Sequence, residues 1–237
     1  MQILKYKINY IIIMENETFF KQCFDKHNFQ ELNNIDVRML YNVFNYHIQK
    51  FPIQNNSIYF DVGTNAGSFL KILTHFKIYS NIHCFEPHPV ISKKTKSAYQ
   101  NVIMNEICLS NNKGEVTINF PLHSVGLSSM IDRPVFNNLG TEVKKITVKS
   151  ETLDQYCNSN KINNIDFIKI DVEGAEKMII EGADNMLKNK KIKAGIFEIG
   201  ETLKDAGTSE EEIATILERY GYNIVKNLSR NDWYFHI

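Results

Sequence analysis

Two acidic residues, Asp61 and Glu86, each end an apolar segment, and together they flank a glycine-containing turn. The segment that ends in Asp61 leads into a turn with Gly63 and Gly67 and then into an amphipathic segment, which is the pattern of strand, tight turn and helix. Glycine lets the backbone turn sharply and approach a ligand closely, and the start of a helix offers free N–H groups. A carboxylate at the tip of the next strand can accept hydrogen bonds from both hydroxyls of a ribose. The pattern therefore predicts a nucleotide-binding β-α-β unit.

The residues within the turn distinguish between two kinds of cofactor. Dinucleotide-binding proteins usually carry G-x-G-x-x-G, whereas Asn65 stands here in place of the middle glycine and Asp61 precedes the turn. A carboxylate at that position repels a pyrophosphate, but it suits the ammonium group of S-adenosylmethionine, which also has a ribose. A glycine pair alone would favour an ordinary turn without a ligand, and the two acids shift the interpretation to a cofactor site. The predicted cofactor-binding residues are Asp61, Gly63, Thr64, Asn65, Gly67, Ser68, Glu86, Pro87 and Asp171.

A third acid, Asp171, ends the apolar segment 165–170 and is followed at once by a glycine and a helical pattern. Ligands of open α/β sheets bind beyond the carboxyl ends of the strands. We therefore expect Asp171 to lie close to Asp61 and Glu86 at one edge of a sheet.

Three further residues are candidates for the same rim. Glu173 either faces the cleft or interacts with the dipole of the following helix. Glu198 ends another apolar segment, where it either reaches the rim or forms a structural salt bridge. His123 lies in a long serine-containing loop that could bind a substrate, although a lone histidine in a loop is more often solvated or packed.

The order of segments indicates an α/β fold with a doubly wound, mostly parallel sheet. Helical patterns alternate with apolar strand patterns, an extra strand pair is expected at 115–120 and 143–148, and the end of the chain reads as an antiparallel hairpin that turns at 229–232. The predicted core strands are 57–62, 81–85, 101–108, 165–170 and 193–199, and the predicted helices lie near 67–78, 89–99, 174–188 and 209–220. Two helices are expected between residues 15 and 50.

No linker or repeat divides the chain, and we expect a helical extension over 1–50 and one cofactor-binding domain over 51–237. The 237 residues include 27 basic and 27 acidic side chains, and this balance argues against general electrostatic binding to nucleic acid or an anionic membrane.

The four cysteines are widely spaced, which fits a reducing, cytoplasmic compartment. No apolar run reaches membrane-spanning length, and Met14 is an alternative start. The oligomeric state is left open.

The motifs resemble those of the FkbM family of S-adenosylmethionine-dependent methyltransferases. They occur in the order of the family and extend over roughly residues 57–200, although Thr64 stands where alanine is common. The matching segments are Phe60–Gly67, Phe85–Pro89, Gly126–Ser129, Thr152–Asp154 and Ile168–Glu176. The resemblance implies a class I methyltransferase (Rossmann-like) fold, S-adenosylmethionine as cofactor, and O-methylation of a hydroxyl on a small molecule or glycan.

Methylation of a hydroxyl requires a group that takes its proton as the new bond forms. Asp171 is the first candidate for this catalytic base, followed by Glu198 and His123. Asp171, Glu173 and Glu198 could instead hold a divalent cation, but metal-independent chemistry is favoured. Two alternatives stay open: a nucleoside-binding module without turnover, and a methyltransferase that acts on a small molecule other than a sugar.

Overall fold

A seven-stranded sheet forms the centre of the molecule, as seen in a computed structural model that describes residues 34–121, 125–138, 140 and 142–237. The first helix predicted between residues 15 and 50, and the candidate base His123, lie outside the described residues. The strands are β1 (Tyr59–Val62), β2 (Ile82–Phe85), β3 (Ile103–Asn105), β4 (Cys108–Leu109), β5 (Gly114–Pro121), β6 (Val143–Glu151), β7 (Phe167–Ile170), β8 (Ala194–Glu198), β9 (Asn223–Val225) and β10 (Asp232–His236).

Helices cover both faces of this sheet. The α-helices are α1 (Asn34–Lys50), α2 (Ser68–His75), α3 (Pro89–Ala98), α4 (Leu153–Ser159), α5 (Glu176–Glu181), α6 (Asp184–Lys188), α7 (Glu201–Asp205) and α8 (Glu210–Arg219). Two short 3₁₀ helices, Val125–Leu127 and Pro134–Asn138, lie between β5 and β6. Among the described residues, none of the helices is both long enough and apolar enough to span a membrane.

The strand order of the main sheet is β3-β2-β1-β7-β8-β10-β9. The first five strands run parallel, β10 pairs antiparallel with β8, and β9 pairs antiparallel with β10. The central strands β1, β2 and β7 are buried along their whole length, as expected of parallel strands covered on both faces. The predicted doubly wound α/β fold and its C-terminal antiparallel hairpin are confirmed.

The predicted strand 101–108 divides between two sheets. Its first part is β3 at the edge of the main sheet, and its last part is β4, which pairs with β6. β6 also pairs antiparallel with β5, so that β4, β6 and β5 form a separate three-stranded sheet. Ile118 and Phe120 of β5 are buried together with Cys108. This second sheet supplies an apolar wall beside the carboxyl ends of the main strands.

The predicted helix 174–188 is interrupted at Gly182. A Cβ atom at this position would come within 2.2 Å of the Ser110 carbonyl oxygen, so the backbone of the helix approaches the neighbouring loop more closely than a side chain would allow. The Gly182 carbonyl also accepts a hydrogen bond from the Asp154 N–H at 3.1 Å. These long-range contacts divide the helix into α5 and α6.

The helix α1 packs into the core of the main sheet through Phe44, whose side chain is fully buried. The ring centroid of Phe44 lies 5.2 Å from that of Phe167, 5.6 Å from that of Phe69 and 6.0 Å from that of Tyr59. Strands β1 and β7 and helix α2 therefore contact α1 directly. The division of the chain at residue 50 stays a prediction.

Removal of the Phe44 ring tests whether α1 is an integral part of this core. Because the ring is buried among other aromatic rings, Phe44→Ala should lower the free energy of unfolding by about 3–5 kcal/mol. Tyr79→Ala is the control, since Tyr79 is 52% exposed, and a surface change of this kind should alter stability by less than about 0.5 kcal/mol. Urea unfolding of the full chain measures both, and a Phe44→Ala variant as stable as the control would contradict this packing.

Candidate active site

A cleft of about 540 Å³ opens at the carboxyl ends of β1, β2, β7 and β8. Parallel strands bring residues that are distant in sequence to one edge of the sheet. The predicted site residues that line the cleft are Gly63, Thr64, Asn65, Ser68, Glu86, Pro87, Asp171 and Glu198. Asp61 and Gly67 are buried behind its wall.

The turn after β1 requires glycine at position 63. Gly63 has a φ of 77°, and a Cβ atom there would lie 1.8 Å from the Asp171 carbonyl oxygen. The N–H groups of Gly63 and Thr64 both donate to the Phe85 carbonyl at 3.1 Å, and the Thr64 hydroxyl donates to the Asp61 carbonyl at 2.8 Å. The turn is therefore held against both β2 and the segment that follows β7.

Gly67 provides the second close approach before α2 begins. Its φ is 84°, and a Cβ atom would lie 2.9 Å from the ring of Tyr99. Between the two glycines, Asn65 also has a positive φ of 46°, and its carbonyl accepts a hydrogen bond from the Thr95 hydroxyl at 2.7 Å. These contacts fix the backbone of the turn from the side opposite to the cleft.

Glu86 is a buried carboxylate at the tip of β2, with 6% of its surface exposed. Its Oε2 accepts a hydrogen bond from the Asn65 N–H and its Oε1 accepts one from the His88 N–H, both at 2.9 Å. Burial raises the pKa of Glu86, and the two backbone N–H groups oppose that shift. Each carboxylate oxygen can accept a further hydrogen bond, so Glu86 retains the capacity to bind ligand hydroxyls.

A buried lysine for which the sequence predicted no role, Lys169 of β7, connects the two predicted motifs. Its Nζ lies 3.4 Å from Oδ1 of Asp61 and 3.2 Å from Oδ2 of Asp171, and it donates a hydrogen bond to the Gly63 carbonyl at 2.9 Å. The side chain of Lys169 is 4% exposed, that of Asp61 is 1% exposed, and that of Asp171 is 38% exposed. A lysine within an otherwise apolar strand was the sequence signal for this contact.

The electrostatics of this group follow from burial and charge pairing. Burial alone would lower the pKa of Lys169, but the carboxylates of Asp171 and Asp61 raise it above its usual range, so the lysine is charged. Burial raises the pKa of Asp61, and the Lys169 ammonium opposes that shift. Neither carboxylate oxygen of Asp61 has a geometrically good hydrogen bond, so Lys169 is the main source of compensation for its charge.

Three carboxylates converge at the open end of the cleft. Oxygen atoms of Asp171, Glu173 and Glu198 all lie within 4.8 Å of one another. Burial, followed by the charge of Asp171, raises the pKa of Glu173 to about 7. Burial and the charges of Asp171 and Glu173 raise the pKa of Glu198 to about 10, a shift that favours its protonated form.

Arg133 is a second residue of the site that no sequence motif indicated. Its Nη1 lies 2.6 Å from Oε2 of Glu173 and its Nε lies 3.2 Å from Oδ2 of Asp205, while its side chain is 7% exposed. Nearby, the Ser129 hydroxyl donates to the Glu173 carbonyl at 2.7 Å. These contacts tie the segment between β5 and β6 to the turn that follows β7.

Two other acids of the motifs have structural partners. Glu176 is fully buried and accepts hydrogen bonds from the N–H groups of Val172, at 2.9 Å, and Gly174, at 3.0 Å. Asp154 accepts hydrogen bonds from the N–H groups of Asn185 and Met186, at 2.7 and 3.0 Å, at the start of α6. Glu176 thus stabilises the turn after β7, and Asp154 stabilises the start of α6.

Residues from distant parts of the chain complete the cleft wall. Met39 and Leu40 come from α1, and Asn231 and Asp232 come from the hairpin before and within β10. No local motif marks these positions, because only the packing of α1 and the C-terminal hairpin on the sheet brings them there.

Substitution of Gly63 tests the close approach between the two motifs. Gly63→Ala should lower the free energy of unfolding by at least about 3 kcal/mol, because overlap with the Asp171 carbonyl adds to the strain of a left-handed backbone. Gly207→Ala is a matched control, since Gly207 has a φ of 71° and a Cβ atom there would meet nothing within 4 Å, and it should lose only about 1–2 kcal/mol. Equal losses in chemical unfolding would mean that the approach is not tight.

Several known proteins are similar to this chain. A 2-O-methyltransferase, NoeI of Sinorhizobium fredii (strain NBRC 101917 / NGR234), is 26% identical over 142 residues, which are 54% of this chain and 57% of that protein. The match therefore spans less than two thirds of the length of that relative.

Solved structures also resemble the chain. A SAM-dependent methyltransferase from Aquifex aeolicus has a TM-score of 0.45 at 13% identity, with 92% of this chain and 96% of that chain covered. An S-adenosylmethionine-dependent methyltransferase from Clostridium acetobutylicum ATCC 824 has a TM-score of 0.47 at 10% identity, with 93% and 98% covered.

The family model described as the methyltransferase FkbM domain matches residues 61–224. The matched range begins at Asp61, includes the glycine turn, Glu86 and Asp171, and ends within β9. The match extends over well more than half of the 237 residues, as the motifs predicted. The protein therefore belongs to the FkbM family of methyltransferases.

Proposed function

We propose that this protein is an S-adenosylmethionine-dependent O-methyltransferase that acts on a hydroxyl group, with a sugar or glycan as the favoured acceptor. The observation that carries the proposal is the single cleft in which the glycine turn and Glu86 lie on one side and the carboxylates of Asp171, Glu173 and Glu198 on the other. Membership of a methyltransferase family supports the reaction class.

The cofactor side of the cleft fits a nucleoside with an amino-acid tail. Glu86 can accept hydrogen bonds from ribose hydroxyls, and the tight turn at Gly63 allows a ligand to approach the backbone. Ile91, Ile107 and Phe120 line the same cleft and offer apolar surface to a flat base. When bound, S-adenosylmethionine supplies a methyl group activated by a sulfonium centre.

Asp61 contributes to cofactor binding indirectly in this proposal. Its carboxylate is buried behind the turn and faces the Lys169 ammonium. Asp61 thereby keeps Lys169 charged and beside the Gly63 carbonyl, which fixes the turn. Thr64, Asn65 and Ser68, together with Pro87, form the surface that the cofactor would contact.

Asp171 is the best placed of the candidate bases. Its side chain is 38% exposed and lines the cleft, whereas the side chain of Glu173 is only 16% exposed, and burial and neighbouring charges raise the pKa of Glu198 to about 10. A proton acceptor must be accessible to the hydroxyl and ionised before the reaction. We therefore propose that Asp171 takes the proton, that Lys169 holds it in position, and that the carboxyl group of Glu198 donates a hydrogen bond within the cluster.

The acceptor side of the cleft favours an uncharged polyhydroxy compound. Ser128, Asn231 and Asp232 line this end together with the carboxylates, so its surface is polar and predominantly acidic. Acidic side chains accept hydrogen bonds from sugar hydroxyls and repel anionic acceptors. The name of the relative, a 2-O-methyltransferase, supports a hydroxyl as the methylated group.

The test of the proposed function is transfer of an isotopically labelled methyl group from S-adenosylmethionine to a panel of acceptors. We expect labelled products from neutral sugars or glycans, with release of S-adenosylhomocysteine. Methylation confined to amines, proteins or nucleic acids would contradict the reaction class. Methylation of hydroxyls only on compounds other than sugars would support the proposed reaction class but show that the proposed acceptor class is wrong. Tight cofactor binding without any transfer would favour the nucleoside-binding alternative.

Glu86→Ala should weaken S-adenosylmethionine binding by about 1–3 kcal/mol, because the ribose hydroxyls would lose their acceptor. Isothermal titration calorimetry measures the change. The matched control is Glu115→Ala, since Glu115 is exposed on β5 and does not line the cleft. Equal affinities for Glu86→Ala and the control would exclude Glu86 from the cofactor site.

Asp171→Asn keeps the size of the side chain and removes its negative charge. Because the substitution removes the proposed base, it should lower turnover by roughly 10²–10⁴-fold, while the affinity for the cofactor is largely kept. The matched control is Asp132→Asn, since the Asp132 side chain is 79% exposed and only weakly paired with Lys145 at 3.8 Å. Full turnover in the Asp171→Asn enzyme would remove this assignment, and the base would then be sought at Glu198 or His123.

Treatment with a chelator tests whether Asp171 acts as a base or as a metal ligand. Lys169 and Arg133 already supply positive charge to Asp171 and Glu173, so two of the three converging carboxylates have cationic partners. We therefore propose a metal-independent reaction, in which wild-type turnover is unchanged by a chelator and by added Mg²⁺. If the chelator abolished turnover and added Mg²⁺ restored it, Asp171 would not be assigned as the base. The assignment would then be a metal site formed by Asp171, Glu173 and Glu198.

A further inference from the structure

The segment that lines one wall of the cleft, Gly126–Met130, connects β5 to β6 outside the main sheet. We propose that Arg133 is a positioning residue for acceptor binding, which fastens this wall to the turn that carries Asp171 and Glu173. The inference rests on the proposed function only for the identity of the acceptor, because the fastening itself is a property of the fold.

Hydrogen bonds hold the wall on two sides. On one side, Ser129 and Asn119 of β5 exchange backbone hydrogen bonds at 2.9 and 3.2 Å, and the Asn119 side-chain amide donates to the Ile131 carbonyl at 3.2 Å. On the other side, the attachment consists of the Ser129 hydroxyl on the Glu173 carbonyl and the Arg133 guanidinium on the Glu173 carboxylate. Arg133 thus provides the charged part of the second attachment.

The environment of Arg133 makes this attachment a stable one. The guanidinium is almost completely buried, pairs with Glu173 at 2.6 Å and with Asp205 at 3.2 Å, and lies 5.9 Å from the centre of the Phe136 ring. A buried guanidinium must keep its partners, since an unpaired charge in the interior is strongly unfavourable. The planar donor group of arginine reaches two carboxylates at once, which the single ammonium of a lysine does less well.

The turn on which Arg133 acts has little freedom of its own. Glu173 has a positive φ of 58°, and the adjacent Gly174 has a φ of 107°, where an added Cβ atom would lie only 2.7 Å from the Thr202 carbonyl of α7. Because Asp205 also belongs to α7, the arginine joins the wall to a turn and a helix that already contact each other. The position of the wall is therefore fixed relative to the same backbone turn that positions Asp171.

Two readouts test the proposal, and one of them does not depend on an acceptor. In Arg133→Gln, hydrogen exchange of backbone amides in the segment 125–138 should be at least about tenfold faster, since the second attachment then keeps only the hydrogen bond from Ser129 to the Glu173 carbonyl. Acceptor KM should rise about tenfold or more through misplacement of the wall, with S-adenosylmethionine affinity changed by less than about twofold. Arg133→Lys should recover part of both losses.

The control variant is Lys145→Gln, which removes an exposed ion pair to Asp132 of the same segment and should change neither readout. A double-mutant cycle of Arg133→Gln with Glu173→Gln should be strongly non-additive in exchange protection, because the two side chains act as one contact. Unchanged exchange in Arg133→Gln, or loss of cofactor affinity as large as the loss for the acceptor, would overturn the proposal. If no hydroxyl acceptor is found at all, the exchange readout still decides whether Arg133 fastens the wall.

Discussion

The site depends on one buried cation. Lys169 lies between Asp61 and Asp171 and donates to the Gly63 carbonyl, so a single ammonium group joins the end of β1, the glycine turn and the end of β7. Without it, the fully buried Asp61 would have no counter-charge beside the turn, and a buried unpaired carboxylate is strongly unfavourable. The glycine turn and Asp171 are thus positioned by the same interaction.

The two sides of the cleft differ in the contacts and charges that they offer. On the side proposed for the cofactor, the left-handed glycine turn allows close approach to the backbone, and Glu86 offers hydrogen-bond acceptors that would suit a ribose. On the side proposed for the reaction, three carboxylates lie close enough to repel one another. Lys169 and Arg133 supply positive charge there, while burial and the neighbouring carboxylates raise the pKa of Glu198 and favour its protonated form. These positive charges partly offset the repulsion among the three carboxylates.

The sequence predicted those parts of the site that belong to local motifs. Asp61, Glu86 and Asp171 stood out as candidates because each lies in or just after the last residues of an apolar strand, and parallel strands align their carboxyl ends. Lys169 lies within one of these motifs but had no predicted role, although a charge in a buried strand was a usable signal. Arg133 and Met39 carried no such signal, because their places depend on packing between distant segments. The split of strand 101–108 has the same cause, since β4 exists only by pairing with β6. The role of His123 stays a prediction.

Unfolding of the Lys169→Met variant as a function of pH tests the central claim most directly. At neutral pH we expect it to lose about 3–5 kcal/mol relative to wild type, because Asp61 remains buried without its counter-charge. Burial then raises the pKa of Asp61 above its value in the unfolded chain, so the folded variant binds a proton more readily, and its deficit should shrink as the pH falls. A variant as stable as wild type at neutral pH, with the same pH dependence, would contradict the account.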